Sequence, residues 1–169
     1  MRYHPWADSG FNSEDNENKW KWANMGQIVR QQNFQRSPNL ISICVDEIRM
    51  VNCQGVCYHC YSEEACPFSN VAHLIELAEN LFDQIKFPQA STQMRTFTDK
   101  SRKTVQPLEK KKSAEELEKE RGKKGTMLLY VQYRQRSTWQ GVVKWVEGDQ
   151  EWKFFSELEL FKIINQAIQ

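Results

Sequence analysis

Short runs of alternating apolar and polar residues fill the last part of the chain and then give way to a helical spacing. Val142 to Val146 is β-rich, Glu147-Gly148-Asp149-Gln150 has the composition of a turn, and Trp152 to Phe155 is a second β-rich run. Ser156 stands where a helix should begin, with Glu159 three residues on. That is a capping box, in which each side chain satisfies an orphan N–H of the first turn. Leu160, Ile163, Ile164, Ala167 and Ile168 then fall at i, i+3, i+4, i+7 and i+8, which lays one apolar stripe along a helix. Upstream, Met127 to Arg134 reads as a preceding strand with Leu129, Val131 and Tyr133 on one face. The loop Gln135-Arg136-Ser137-Thr138 returns the chain to Trp139.

A diverged copy of this pattern lies 86 residues earlier, without a gap. Val131 meets Val45, Gln140-Gly141-Val142 meets Gln54-Gly55-Val56, Phe154 meets Phe68, and the stripe maps onto Leu74, Leu77, Ala78, Leu81 and Phe82. Ser156 maps to Asn70, another good N-cap. In the earlier copy Asn39 to Ile48, Gly55 to Tyr61 and Ala65 to Phe68 read as strands. Val71 to Ile85 reads as a helix, closed by Phe87-Pro88 because the residue before proline avoids the α region. Pattern, turn and cap agree in register, so an internal repeat is expected. The expected fold is α+β: a tandem repeat of two β-β-β-α units about a pseudo-twofold, an antiparallel sheet with helices on one face, joined by a basic linker. The expected divisions are an aromatic-rich arm over 1–37, units over 38–88 and 126–169, and a charged linker over 89–125.

The 169 residues suit one domain or two small ones, and 40% apolar residues can support a core. No run approaches the ~18 apolar residues of a membrane helix. Met1-Arg2-Tyr3-His4-Pro5-Trp6-Ala7-Asp8 lacks the apolar region of a signal peptide, so a cytoplasmic protein with reduced thiols and no membrane partner is expected. The arm carries Trp6, Phe11, Trp20, Trp22 and Phe34, read either as pins onto the domain or as a partner-binding arm. The net charge of +1 hides an asymmetry. Between Arg95 and Lys124 stand eleven Lys/Arg and six Asp/Glu, a net +5; the remainder has twelve and sixteen, a net −4. Mixed charges from Glu109 to Arg121 suit a solvent-exposed helix, with Gly122 and Gly125 stopping it.

All five cysteines lie between Cys44 and Cys66. Cys57-Tyr58-His59-Cys60 invites a zinc reading, with Cys53 and Cys66 as the other candidates. The repeat argues against it, because Cys57 and Cys60 align with Val143 and Val146, and residues three apart on a strand point to opposite faces. Buried thiols acting as small hydrophobes are the alternative, and no metal or cofactor is expected. Signatures of nucleophile elbows, phosphate loops, zinc proteases and dinucleotide sites are absent, so the chain is read as a non-enzyme. The remaining candidate surface is aromatic and basic: Tyr133, Arg134, Arg136, Trp139, Lys144, Trp145, Trp152 and Lys153. On a wet sheet face these would stack on bases and neutralise phosphates; on a covered face the tryptophans would be packing.

From Val131 onward, V-Q-Y-R-Q-x-x-T-W-Q-G-V-V-x-W…F-x-S-x-L-E-L resembles a family of small proteins from anaerobic Gram-positive bacteria and their mobile elements. His4-Pro5-Trp6 and Phe87-Pro88-Gln89 resemble the same family, which has no assigned activity; the linker is poorly matched. At fold level, tandem small sheets each closed by a helix are similar to Whirly and coactivator-type single-strand binders, which have four strands per unit where this chain offers three. Two functions are therefore expected. One is a non-catalytic binding protein acting on nucleic acid or a nucleoprotein complex. The other is a protein-directed inhibitor or adaptor from a mobile element, such as an anti-CRISPR-like inhibitor of a host defence nuclease.

Overall fold

The computed structural model describes residues 37–49, 52–90, 108–135 and 138–168. The arm, apart from Ser37, and linker residues 91–107 lie outside the described residues. The elements are β1 (Ile41–Arg49), β2 (Asn52–His59), β3 (Cys66–Phe68), α1 (Val71–Ile85), a single-turn α2 (Ala114–Leu117), β4 (Gly125–Gln135), β5 (Thr138–Trp145), β6 (Gln150–Phe154) and α3 (Glu157–Ile168). The class is α+β. The strands form a six-stranded antiparallel sheet in the order β3-β2-β1-β4-β5-β6. None of the helices described is long and apolar enough to cross a membrane.

The sheet is joined at its middle by β1 and β4, where Ser42 opposes Leu128, flanked by Ile41–Leu129 and Ile43–Met127. Alternation sends Ile41, Ile43 and Val45 of β1 and Met127, Leu129 and Val131 of β4 to one face. They share one core cluster with Cys57, Phe68, Val143 and Phe154, with Leu74, Ala78, Leu81 and Phe82 of α1, and with Leu160 and Ile164 of α3. Burying each large side chain contributes about 1.5–3 kcal/mol, so both helices are held to the sheet by their apolar stripes.

Caps set where the helices start. The Asn70 side chain accepts from the His73 N–H at 2.8 Å, and α1 ends at Lys86, which takes a left-handed conformation (φ 54°). At α3 the Ser156 hydroxyl accepts from the Glu159 N–H at 3.2 Å. The Glu159 carboxylate reaches one residue further back than a capping box requires, to the Phe155 N–H at 2.8 Å. The box predicted from Ser156 and Glu159 is thus half formed.

The face assignment expected for β4 changes at one point. The β4–β5 register shifts between Val131 and Tyr133, a bulge that adds one residue to the strand. Strict alternation would keep Tyr133 with Leu129 and Val131. Instead Tyr133 turns to the far face, and Arg134 joins the side on which the helices pack. β1 carries the same irregularity between Val45 and Glu47.

The later part of the connector is not a solvated tether. Lys111 and Lys112 N–H groups donate to the Cys60 carbonyl at 2.7 and 3.0 Å, and the Lys124 N–H donates to the Val45 carbonyl at 2.8 Å. Between these anchors Ser113 and Glu116 form a complete capping box, Leu117 is fully buried, and the Lys112 ammonium sits 4.5 Å over the Tyr58 ring. Gly122 serves approach more than helix termination: a Cβ there would lie 2.4 Å from the Val45 nitrogen. Leu40, Cys44, Leu128 and Val142 are buried as well, outside the helix-side cluster.

Candidate functional site

The eight residues expected to share a surface do not share one. Through the β4–β5 and β5–β6 registers, Arg134, Trp139, Trp145 and Trp152 fall on the helix side, and Tyr133, Lys144 and Lys153 on the other. Arg136 lies outside the described residues. Trp139 is 2% exposed, and Trp145 and Trp152 pack against the core. Trp145 is closed off by its own turn, since a Cβ on Gly148 would lie 2.0 Å from the indole ring. The positive φ of that turn falls on Asp149 (48°), so Gly148 is needed for contact with the ring and not for its own torsion. Trp139 is therefore closed to base stacking, and Trp145 and Trp152 are partly buried on the helix side.

Arg134 anchors the helix side. It is 4% exposed, yet charged. Its Nε donates to the Pro88 carbonyl at 2.7 Å, one terminal nitrogen pairs with Glu79, and the other reaches Asp83 at 2.8 Å. The guanidinium carbon lies 5.5 Å from the Phe82 ring centroid. Phe82 in turn meets Trp139 edge to face at 5.5 Å, and the Trp139 indole N–H donates to the same Glu79. A parallel bridge between Ala90 and Arg134 lays the chain after α1 alongside β4. The network therefore ties α1 and its exit to the β4–β5 hairpin. Glu79 and Asp83 were not among the candidates. Their one visible signal is a pair of acids four apart beside the apolar stripe of α1.

The other side of β4 is buried at Thr126 and Leu128 and opens at its far end, at Gln132 and Tyr133. Tyr133 is 53% exposed and flanks a cleft of about 380 Å³, which Lys86, Phe87, Pro88 and Gln132 also line. Lys153 is exposed, while Lys144 is committed to Asp149 at 2.9 Å, which holds that carboxyl below its ordinary range. At the β6–α3 corner Phe155 and Leu158 are 64% and 63% exposed.

The cysteines separate. Cys57 is in the helix-side core, Cys53 packs there too, and Cys60 lies past the end of β2, where the connector docks. All five are free thiols. Among the described residues no group of three or more His, Cys, Asp or Glu side chains is placed to hold a metal ion. The cysteines at 57 and 60 thus do not converge as zinc ligands would. Burial raises Cys53 to about 11, and burial with the neighbouring Cys66 raises Cys57 to about 12. Burial, followed by the Lys112 charge, holds His59 below its ordinary value.

Compared with protein-family models, with curated proteins and with solved structures, the chain finds no match in any of the three.

Proposed function

We propose that the chain is a non-catalytic binding protein, an inhibitor or adaptor directed at a protein partner, built from two β-β-β-α copies about a pseudo-twofold axis. The duplication is supported by correspondence at the 86-residue shift. Asn52–His59 coincides with Thr138–Trp145 end to end, and Val71 at the start of α1 coincides with Glu157 at the start of α3. The strand irregularity at Val45/Glu47 coincides with that at Val131/Tyr133. The pair Ser42–Leu128 is itself 86 apart, as a twofold axis through the middle of the sheet would require.

The observation that carries the choice of partner is the inward placement of the tryptophans and Arg134, with Tyr133 left outside beside Phe87. Exposed aromatics on a frame locked by a buried arginine suit a protein contact, where a few such anchors dominate the binding energy. Phosphate binding would need free cations on the same surface. Lys86 lines the same cleft and Lys153 is exposed, but the first unit as a whole carries two Lys/Arg against seven Asp/Glu over 38–88. Affinity capture with the tagged full chain, with and without nuclease, tests the reading. A protein retained after nuclease and lost with Tyr133→Ser plus Phe87→Ser is the expected result. Recovery that vanishes with nuclease would return the reading to nucleic acid.

A further inference from the structure

Next to α1 the edge of the sheet carries a second cluster, which the proposed partner surface does not use. Cys57 of β2 and Cys66 of β3 are directly opposed in the antiparallel register, so both project to the same face. Directly opposed residues in such a pair have Cα atoms about 4.5–5.5 Å apart, inside the span that a disulfide bridges. The neighbouring Cys66 thiol adds to burial in raising Cys57. His59, two residues on from Cys57, accepts the Tyr61 N–H at its Nδ1 (3.2 Å). That leaves Nε2 as the protonated nitrogen of the neutral ring. Nε2 lies 4.0 Å from the Cys66 sulfur, within the longer reach of a sulfur hydrogen bond. Cys57, His59 and Cys66 line a cavity of about 260 Å³ beneath Leu77, Leu81 and Gln84 of α1. Cys66 is half-buried and Cys57 buried, so a small reagent entering the cavity meets Cys66 first.

We propose that Cys57 and Cys66 form an oxidation site, at which a hydroperoxide converts the two thiols to a cross-strand disulfide that added thiol reverses. The steps balance. The Cys66 sulfur attacks the peroxide oxygen, the O–O bond breaks, and Cys66 becomes a sulfenic acid with release of water (or of an alcohol from an alkyl peroxide). The Cys57 sulfur then attacks Cys66, the S–O bond breaks, and a second water leaves with the Cys57 proton. Two thiols are oxidised by two electrons and one peroxide is reduced. The geometry gives each sulfur its part: Cys66 is the more accessible, and Cys57 is shielded directly opposite it in the register. β3 is a three-residue edge strand, so closing the bond asks for movement of little structure. His59 is a positioning residue that holds the Cys66 sulfur on the cavity side.

The test uses the full folded chain, hydrogen peroxide, and alkylation of the remaining thiols before digestion. Cleavage after Glu63 and Glu64 separates Cys57 from Cys66. The expected product is about 2 Da lighter, holds a Cys57–Cys66 link by fragmentation, and returns to the reduced form with dithiothreitol. Cys57→Ser should stop at an oxidised, unlinked Cys66, while Cys53→Ser and Cys44→Ser should leave the link intact. Mapping the unmodified chain keeps the test valid even if a variant fails to fold. A link from Cys66 to Cys53 or Cys60, or both thiols still alkylatable after peroxide, would overturn the proposal.

Discussion

Replacing Arg134 with methionine probes the contact that holds α1 to the β4–β5 hairpin. Methionine keeps an apolar stem and removes the fork, together with the guanidinium contact over the Phe82 ring. The Pro88 carbonyl then loses its 2.7 Å donor; Pro88 is buried, so an orphaned acceptor there costs about 1–3 kcal/mol. Breaking a fully buried ion pair costs about 3–5 kcal/mol. Here the Glu79 and Asp83 side chains are 39% and 56% exposed, so water takes over much of their solvation. Each of those two pairs is accordingly discounted to about 0–1 kcal/mol. Glu79 also retains the Trp139 indole donor. The sum is a loss of about 1–5 kcal/mol. With a urea slope of about 2 kcal/mol/M, the unfolding midpoint should fall by about 0.5–2.5 M. The neighbouring Tyr133→Ser change should stay within about 0.5 kcal/mol of the parent, because that side chain is exposed. A double-mutant cycle with Glu79→Gln should return a coupling of at least about 0.5 kcal/mol. A midpoint unmoved by Arg134→Met would refute the reasoning, since an arginine so removable cannot be what locks the helix exit to the hairpin.

Leu117→Ala should lose about 2–5 kcal/mol in the same urea titration, as for any fully buried leucine; a free tether would show no change. Gly141→Ala should destabilise by about 1–3 kcal/mol or more, because the new Cβ would lie 2.1 Å from the Tyr130 carbonyl oxygen, and backbone cannot yield as a flexible side chain can. His59 gives a pH dependence. Its folded value lies below the ordinary 6.5, so the unfolded chain binds the proton more readily. The stability tied to neutral His59 is complete above about pH 6.5 and is lost as pH falls toward the folded value. Urea midpoints measured across that window should drop on acidification in the parent and drop less in His59→Gln.

Local patterns carried a large part of the fold. The stripe from Leu74 to Phe82 and the Asn70 cap define α1 to the residue, and Ser156 places the start of α3, because helix periodicity and capping act within a few residues of the chain. The strands were legible from alternation and turn residues, with edges displaced by up to four residues: β5 begins at Thr138 where the β-rich run begins at Val142. The connector's own signal, Ser113 followed by Glu116, was present but was submerged in its charge.

The order of strands and helices, their apolar faces and the closing caps depend on residues close together in the chain, and local pattern is enough to read them. The side of the sheet that each candidate residue occupies is set by strand pairing, not by local pattern. One extra residue at the bulge after Val131 inverts the strand's parity, turning Tyr133 out and Arg134 in. Period-two reasoning has no means of seeing that insertion, because it is defined by the partner strand. The pairing of β1 with β4 and the meeting of Arg134 with Glu79 and Asp83 likewise join segments tens of residues apart. Their energies exist only once the sheet has brought those segments together.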